Sequence, residues 1–309
     1  MRLSVQEILE VTGGELLSGT SDVEVTSVSI DSRLVGGGAL FVAVVAERDG
    51  NDFVHHALAS GAVAVLVTRP YQGAEIAEAV VHVHDTREAI AKLGRHARSK
   101  LSLATVVGIT GSAGKTSTKD LTAAALSARR VHASHRSFNN EIGVPLTLLA
   151  SGLDAEVVVA EMGARRLGDL AHLGTIAQPD VGVVTNIGMA HVGALGGMHR
   201  TVEAKGELIE SLPSTGVAVL NADDPNAPVL ATRTRARILR FGVGPGGKAD
   251  VQAYEIKMDS ELRPRFTVET PWGRAEVALR VRGAHQVANA TAAIAVAGAL
   301  GEPLDRIVE

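Results

Sequence analysis

The stretch Val106-Val-Gly-Ile-Thr-Gly-Ser-Ala-Gly-Lys-Thr-Ser-Thr118 joins a β-branched run to a glycine-rich turn, a Lys-Thr pair and an alanine-rich helical segment. That order suits a loop that holds the phosphates of a nucleotide. Gly111 and Gly114 let backbone N–H groups approach phosphate oxygens with no Cβ in the way. Ser112, Ala113 and Ser117 belong to the same cradle, and a helix beginning near Lys115 adds unpaired N–H groups and the positive end of its dipole. Lys115 can reach the β- and γ-phosphates, and the Thr116 hydroxyl can ligate Mg²⁺. The spacing departs from the strict G-x-x-x-x-G-K-[ST] pattern, because Ile109 stands six residues before Lys115 and the nearest glycine is Gly108. An ordinary strand-to-helix turn is the competing reading; strand, turn and helix all falling in the required places favours the phosphate loop.

Further buried strands are expected at residues 156–160, 180–185 and 216–220, alternating with helical segments. This is the pattern of a parallel, doubly wound sheet, whose ligands bind beyond the carboxyl ends of the strands. The residues to inspect are therefore Glu161-Met-Gly-Ala-Arg165 and Thr185-Asn-Ile-Gly-Met-Ala-His191. A nucleoside triphosphate brings Mg²⁺, which takes oxygen ligands in octahedral geometry and keeps several waters. Thr116 and Glu161 fit that need. His191 is a softer donor than Mg²⁺ prefers, although an imidazole beside a carboxylate can complete a second site; a lone histidine is more often packed or at the surface. Taken by spacing, Lys205 reads as a solvated helix charge, while Asn139, Asn140, Arg165 and Arg166 are ligand contacts or surface groups.

The elements that must position these groups follow from the rest of the chain. Its 309 residues are enough for two domains, each with its own core. The net charge of −4 and an aromatic content of 3% disfavour nucleic acid as a partner. The chain has 0 cysteines, which excludes disulfides, thiol nucleophiles and cysteine-bound metals and suits a reducing cytoplasm. No apolar signal core follows Met1, and the longest apolar stretch, 288–300, is too short and too alanine-rich to span a bilayer, so a cytoplasmic protein with no stable membrane insertion is expected. Ser4 and Glu7 form a capping box for a short helix stopped at Gly13-Gly14. A small α/β unit follows, with strands at 23–30, 40–45 and 62–68, a helix at 53–60, and loops at Asp31-Ser32-Arg33 and Asp49-Gly50-Asn51-Asp52-Phe53 whose bland reading is solvated turns. A helix over 86–101 leads into the phosphate-loop strand, and the domain boundary is placed just before it, giving domains 1–84 and 85–309. Beyond Arg240, residues 250–258 and 265–281 read as antiparallel strands turning at Pro271-Trp272-Gly273-Arg274, and 283–300 as a final helix carrying His285 and Asn289 one turn apart. The fold class is α/β: a small N-terminal α/β domain, then a P-loop, mostly parallel doubly wound ATPase domain with an antiparallel hairpin region.

Seven segments together resemble the Mur ligase family: Thr110 to Thr116, Asn139-Asn-Glu-Ile-Gly-Val-Pro-Leu146, Glu161-Met-Gly-Ala164, Thr185 to His191, Ala204-Lys-Gly-Glu207, Asn221-Ala-Asp-Asp224 and Gly283-Ala-His-Gln-Val-Ala-Asn289. They occur in the family's order, and the resemblance runs from about Val5 to the end. Within the family, the second and third segments are similar to the branch that joins D-Ala-D-Ala to UDP-MurNAc-tripeptide. The resemblance implies an ATP-dependent carbon–nitrogen ligase in which the peptide's terminal carboxylate is phosphorylated and the amine of D-Ala-D-Ala attacks the acyl phosphate. It implies that Gly111, Gly114 and Lys115 hold the phosphates, that Thr116 and Glu161 hold one Mg²⁺, and that His191 helps hold a second. Lys205 matches the lysine that the family often carries as a carbamate, an anionic group able to support that second metal. His285 and Asn289 match the helix that meets adenine, Asn139 and Asn140 the loop beside the reacting end of the peptide, and Asp31, Ser32, Arg33 and the Asn51 loop the segments that bind the uridine nucleotide-sugar. Arg165 joins the expected substrate contacts.

Ala113 stands where the family often has Asn, as does Gln286, so side-chain contacts there are expected to be lost while the backbone cradle remains. Nothing in the sequence corresponds to the family's third domain, which closes over ATP and supplies much of the acceptor site; a monomer that binds its UDP-linked substrate but ligates poorly is the expectation. Competing readings are another Mur-type ligase adding the third amino acid, folylpolyglutamate synthase, and a non-catalytic nucleotide-binding module. The nucleotide-sugar segments argue against a folate ligase. The joint presence of Lys115, Thr116, Glu161, His191 and Lys205 argues against a mere binder.

Overall fold

A computed structural model describes all residues except 72, 74–76, 189–196 and 245–248. The chain divides into two compact units, Met1–Ser102 with Glu141–Leu153, and Leu103–Asn140 with Asp154–Glu309.

The first unit contains β1 (Leu3–Ser4), α1 (Val5–Thr12), β2 (Glu15–Gly19), β3 (Glu24–Val25), β4 (Ser27–Ser29), β5 (Ala39–Val42), α2 (Val54–Ala59), β6 (Ala62–Val67), β7 (Ala79–His82), α3 (Thr86–Lys100) and, from its second segment, α5 (Gly143–Ala150). The capping box forms: the Glu7 N–H donates to Ser4 Oγ at 3.1 Å and the Ser4 N–H to Glu7 Oε2 at 3.0 Å. Gly13 closes the helix in the left-handed conformation at φ 73°. Five strands form one sheet in the order β2-β7-β6-β5-β4, parallel except for the β2–β7 pair. The strand expected over 23–30 is divided between two sheets, since β3 pairs with β1 and β4 with β5, and the Thr26 N–H between them donates to Gly38 O at 2.8 Å. The sequence boundary before residue 85 and the compact division after Ser102 differ for a packing reason. Helix α3 buries Ala89, Ile90, Leu93 and Ala97 and packs with α1 and α5, so it belongs to the first unit.

The second unit is built on β8 (Thr105–Thr110), α4 (Lys115–Ala125), β9 (Val131–Ala133), β10 (Val157–Glu161), α6 (Asp169–Ala177), β11 (Val181–Val184), α7 (Met198–Glu210), β12 (Val217–Asn221), α8 (Ala227–Ala231), β13 (Arg237–Val243), β14 (Val251–Met258), β15 (Pro264–Thr270), β16 (Gly273–Ala278), α9 (Gln286–Ala299) and α10 (Leu304–Val308). Nine strands make one sheet in the order β16-β15-β14-β13-β12-β11-β8-β10-β9. From β9 to β14 every pairing is parallel, and β15 and β16 complete the sheet antiparallel. The hairpin turns at Pro271-Trp272 as the sequence indicated, and β14 joins it to the parallel strands rather than leaving it as a separate layer.

Alternation along the strands accounts for the double winding. On β11 and β12, Val181, Val183, Val217 and Val219 belong to the core shared with α9, while Val184, Ala218 and Leu220 belong to the core shared with α7 and α8. Successive strand residues point to opposite faces, so helices cover both. The alanines of α9 lie almost wholly inside and let it approach both α4 and the sheet.

Candidate active site at the strand ends

The adjacent parallel strands β11, β8 and β10 deliver the candidate groups from their carboxyl ends. After Thr110 the chain turns through Gly111 at φ 150° and Gly114 at φ 84°, and α4 starts at Lys115. Both glycines are required by space. A Cβ on Gly111 would lie 1.9 Å from Thr185 Oγ1, and one on Gly114 would lie 2.4 Å from Asn289 Oδ1. The loop is held from behind by the segment that follows β11. Asn186 Oδ1 accepts from the Ala113 N–H at 3.0 Å, its amide donates to Ala113 O at 3.1 Å, and Thr185 Oγ1 donates to the same carbonyl at 2.6 Å. Ser112 accepts from the Gly188 N–H at 3.0 Å. Thr185 and Asn186 belong to the segment marked for inspection by its place after a buried strand, but spacing assigns neither an individual role; the structure shows them holding the loop.

Lys115, Thr116 and Glu161 converge. The Lys115 ammonium donates to Gly111 O at 2.9 Å, and Thr116 Oγ1 donates to Glu161 Oε2 at 2.7 Å. Glu161 is 1% exposed, and its second oxygen accepts from Asn139 Nδ2 at 2.8 Å. Burial pulls the Lys115 amine below its ordinary range, with the nearby Glu161 charge acting in the opposite sense. Lys205, on α7, is 3% exposed, and burial first and the Lys115 charge second bring its pKa down to about 8. It is therefore no solvated helix charge: the two lysines feel each other at the same strand ends. His191 lies outside the described residues.

The donor set fits magnesium and phosphate. A hydroxyl and a carboxylate meet at one point, which is the oxygen pair Mg²⁺ takes alongside water and phosphate. Gly111 and Gly114 let the loop close against Thr185 and Asn289, and the helix N-terminus with Lys115 supplies positive potential.

His285 and Asn289 are brought to the same loop. A cavity of about 250 Å³ is lined by Ala113, Gly114, Asn186, Phe241, His285 and Asn289 among others, which gives a flat heterocycle apolar walls and amide groups beside the phosphate cradle. Asn289 is held by its own neighbours, donating to Gln286 Oε1 at 2.9 Å and accepting from Thr118 at 3.4 Å, while the Gln286 amide reaches Ser117 Oγ at 3.5 Å. Gln286 thus buttresses Asn289 from the position where an asparagine was the family pattern. Arg165 is exposed, and its N–H donates to Asp169 Oδ2 at 2.8 Å; Asn140 is half-buried next to Asn139.

In the first unit, Asp31 and Arg33 pair with each other, Arg33 Nε and Nη2 donating to the carboxylate at 2.9 and 2.7 Å. That guanidinium holds Asp31 down to about 2. Ser32 between them is buried at 7% exposure. Asn51 donates to Asp49 at 2.7 Å and to Thr68 Oγ1 at 2.9 Å, which ties its loop to the end of β6 and places it on the wall of a cavity of about 280 Å³ with Arg69 and Tyr71. The Asp31 loop is not part of that wall.

A glycine-rich loop between an interior parallel strand of a doubly wound sheet and its helix, with a lysine, a hydroxyl and a carboxylate at the strand ends, defines a P-loop nucleotide-binding domain. The chain belongs to the Mur ligase family: the Mur ligase middle-domain model matches residues 109–297, and the family's catalytic-domain model matches residues 24–98. UDP-N-acetylmuramoyl-tripeptide–D-alanyl-D-alanine ligase of Mycobacterium tuberculosis (strain ATCC 25618 / H37Rv) is 39% identical over 332 residues, covering 99% of this chain. The chain spans 65% of that relative's length. The crystal structure of MurF from Acinetobacter baumannii superposes with a TM-score of 0.89 at 33% identity, over 100% of this chain and 67% of that one. MurF ligase from Thermotoga maritima, in complex with ADP, gives 0.75 at 33% identity, over 92% and 65%.

Proposed function

We propose that the chain carries the nucleotide and UDP-linked substrate sites of an ATP-dependent amide ligase that joins D-Ala-D-Ala to UDP-MurNAc-tripeptide. The observation that carries the ligase reading is the convergence of Lys115, Thr116, Glu161 and Lys205 at the carboxyl ends of the parallel strands. The relatives' names, at 39% identity over almost the whole chain, support the D-Ala-D-Ala-adding branch.

ATP supplies the phosphoryl group that turns an unreactive carboxylate oxygen into a leaving group. The chain's residues do the rest by position and charge. The backbone of Gly111 to Thr116 binds phosphate oxygens, and Lys115 neutralises charge that builds on them. Thr116 and Glu161 would hold Mg²⁺, with Asn139 fixing the carboxylate's orientation. His285, Asn289 and Phe241 would receive the base in the adjoining cavity. Lys205 fits carbamate formation, because its amine at about 8 is available as the neutral nucleophile that CO₂ requires. The ammonium first releases one proton. The neutral amine nitrogen then bonds to the CO₂ carbon as a C–O π pair moves onto oxygen, and a second proton leaves the nitrogen, so that a cation is replaced by an anion with two protons released. That carbamate and His191 would support a second Mg²⁺. Asp31, Ser32, Arg33 and Asn51 are assigned to the UDP-sugar, with 1–84 as its binding region and 85–309 as the ATP-binding region, and Asn139, Asn140 and Arg165 to the peptide end.

A cytoplasmic monomer is part of this reading; among the described residues no helix is long and apolar enough to cross a membrane. Calorimetry with ADP in the presence and absence of Mg²⁺ tests the nucleotide site. Mg²⁺-enhanced binding that is weakened in Thr116→Val is the expected result, and binding indifferent to both Mg²⁺ and Thr116 would overturn the assignment.

A further inference from the structure

Lys119 lies one helical turn beyond Lys115 on α4 and is 3% exposed. Its ammonium has three donors, and three acceptors meet them: Ser134 O at 2.8 Å, Arg136 O at 3.0 Å and the Asp120 carboxylate at 3.1 Å. Two of these are main-chain carbonyls from one loop, two residues apart. Arg136, which supplies the second of them, adopts the left-handed conformation at φ 49°, an arrangement a side chain adopts at a cost of roughly 1 kcal/mol. A buried ammonium is a costly way to fill space, and an apolar side chain of similar length would serve packing alone at least as well.

The loop that Lys119 holds wraps Glu161 on two sides. At its start, Ser134 Oγ accepts from the Glu161 N–H at 3.1 Å. At its end, Asn139 Nδ2 donates to Glu161 Oε1 at 2.8 Å, and Asn139 O accepts from the Gly163 N–H at 2.7 Å. Without the cation, the carbonyls of Ser134 and Arg136 would lose the donor they share, and with it the tie that draws together the two ends of the turn that delivers Asn139.

We infer that Lys119 is a positioning residue for the metal pair: by clamping the carbonyls of Ser134 and Arg136 it fixes the loop that orients the Glu161 carboxylate toward Thr116. The inference rests on the assignment of Mg²⁺ to Thr116 and Glu161. Lys119 touches no substrate and acts through Asn139 and Glu161. Groups that orient a metal ligand from behind change metal affinity by about 10- to 100-fold when removed.

The test is the ratio of ADP affinities of this chain with saturating Mg²⁺ and with EDTA, measured by calorimetry. For Lys119→Met the ratio is expected to fall by about tenfold, with the EDTA affinity unchanged. A role confined to stability would lower the melting temperature and leave the ratio alone. Asn139→Ala is expected to lose a similar factor, and Lys119→Met/Asn139→Ala to lose little more than either single change, since both act through one carboxylate. Should the methionine variant fail to fold, Lys119→Gln carries the same test without a large apolar swap. A wild-type ratio in a folded variant, or losses that add in full, would overturn the inference. A parent chain with no Mg²⁺ enhancement would instead overturn the metal assignment, and this inference with it.

Discussion

Replacing Lys205 with methionine removes a buried charge while nearly preserving volume, and the structure gives the size of the effect. The Lys205 pKa falls from 10.5 to about 8, through burial first and the Lys115 charge second. That difference corresponds to about 3 kcal/mol. Near neutral pH the amine is charged in both folded and unfolded chains, so folding must carry the charge inside and bear that cost. Between about 8 and 10.5 the folded chain has released the proton that the unfolded chain still holds, so stability rises with pH through this window and the cost is gone above it. In CO₂-free buffer, Lys205→Met is therefore expected to be more stable than the parent by up to about 3 kcal/mol near neutral pH, with the gap closing by the upper end of the window. Guanidinium unfolding followed through Trp272, the 1 tryptophan of the chain, reads the unit that contains Lys205. Adding bicarbonate should stabilise the parent and not the variant, because a carbamate beside Lys115 turns repulsion into attraction. A gap that does not change with pH would refute the electrostatic reasoning. A bicarbonate response shared by both chains would refute the carbamate.

Gly114→Ala is expected to cost about 1–3 kcal/mol, from left-handed strain and from overlap with Asn289 Oδ1. Adding Asn289→Ala should recover the overlap part and not the strain, as read by thermal unfolding. Thr116→Val should abolish most Mg²⁺ enhancement of ADP binding while leaving binding in EDTA intact, which calorimetry distinguishes from general loss of the cradle. In the first unit, the Lys100 ammonium and then the Ser4 N–H hold Glu7 down to about 2 from 4.5. Because Glu7 is partly exposed and screened, Glu7→Gln should cost only about 1 kcal/mol above that ordinary value. That contribution is present above 4.5 and lost as pH falls toward 2, so the parent and variant should converge in acid unfolding curves.

Local signals made much of this molecule legible. The strand, turn and helix around Gly111 to Lys115, the capping box, the buried strands of the parallel sheet and the turn at Pro271-Trp272 are each written in neighbouring residues, and each is found. What depends on partners distant in sequence was not legible. The division of residues 23–30 between two sheets is set by β1 and β5 rather than by its own alternation. The short strands Glu15–Gly19 and Ala79–His82 went unassigned because their pairing defines them more than their composition. Lys205 reads from spacing as a solvated helix charge, and only the burial of its helix face reveals otherwise. Lys119, equally buried, carries no signal in its spacing. The hydrogen bonds of Asn51 to Asp49 and Thr68, which tie its loop to the end of β6, join residues that spacing does not connect.

Titration of the chain with UDP-MurNAc-tripeptide, compared with the corresponding dipeptide form and with MgADP, addresses the ligase assignment most directly. The account predicts that the tripeptide form binds, and binds more tightly than the dipeptide form. Binding of MgADP with no binding of either UDP-linked ligand would contradict it.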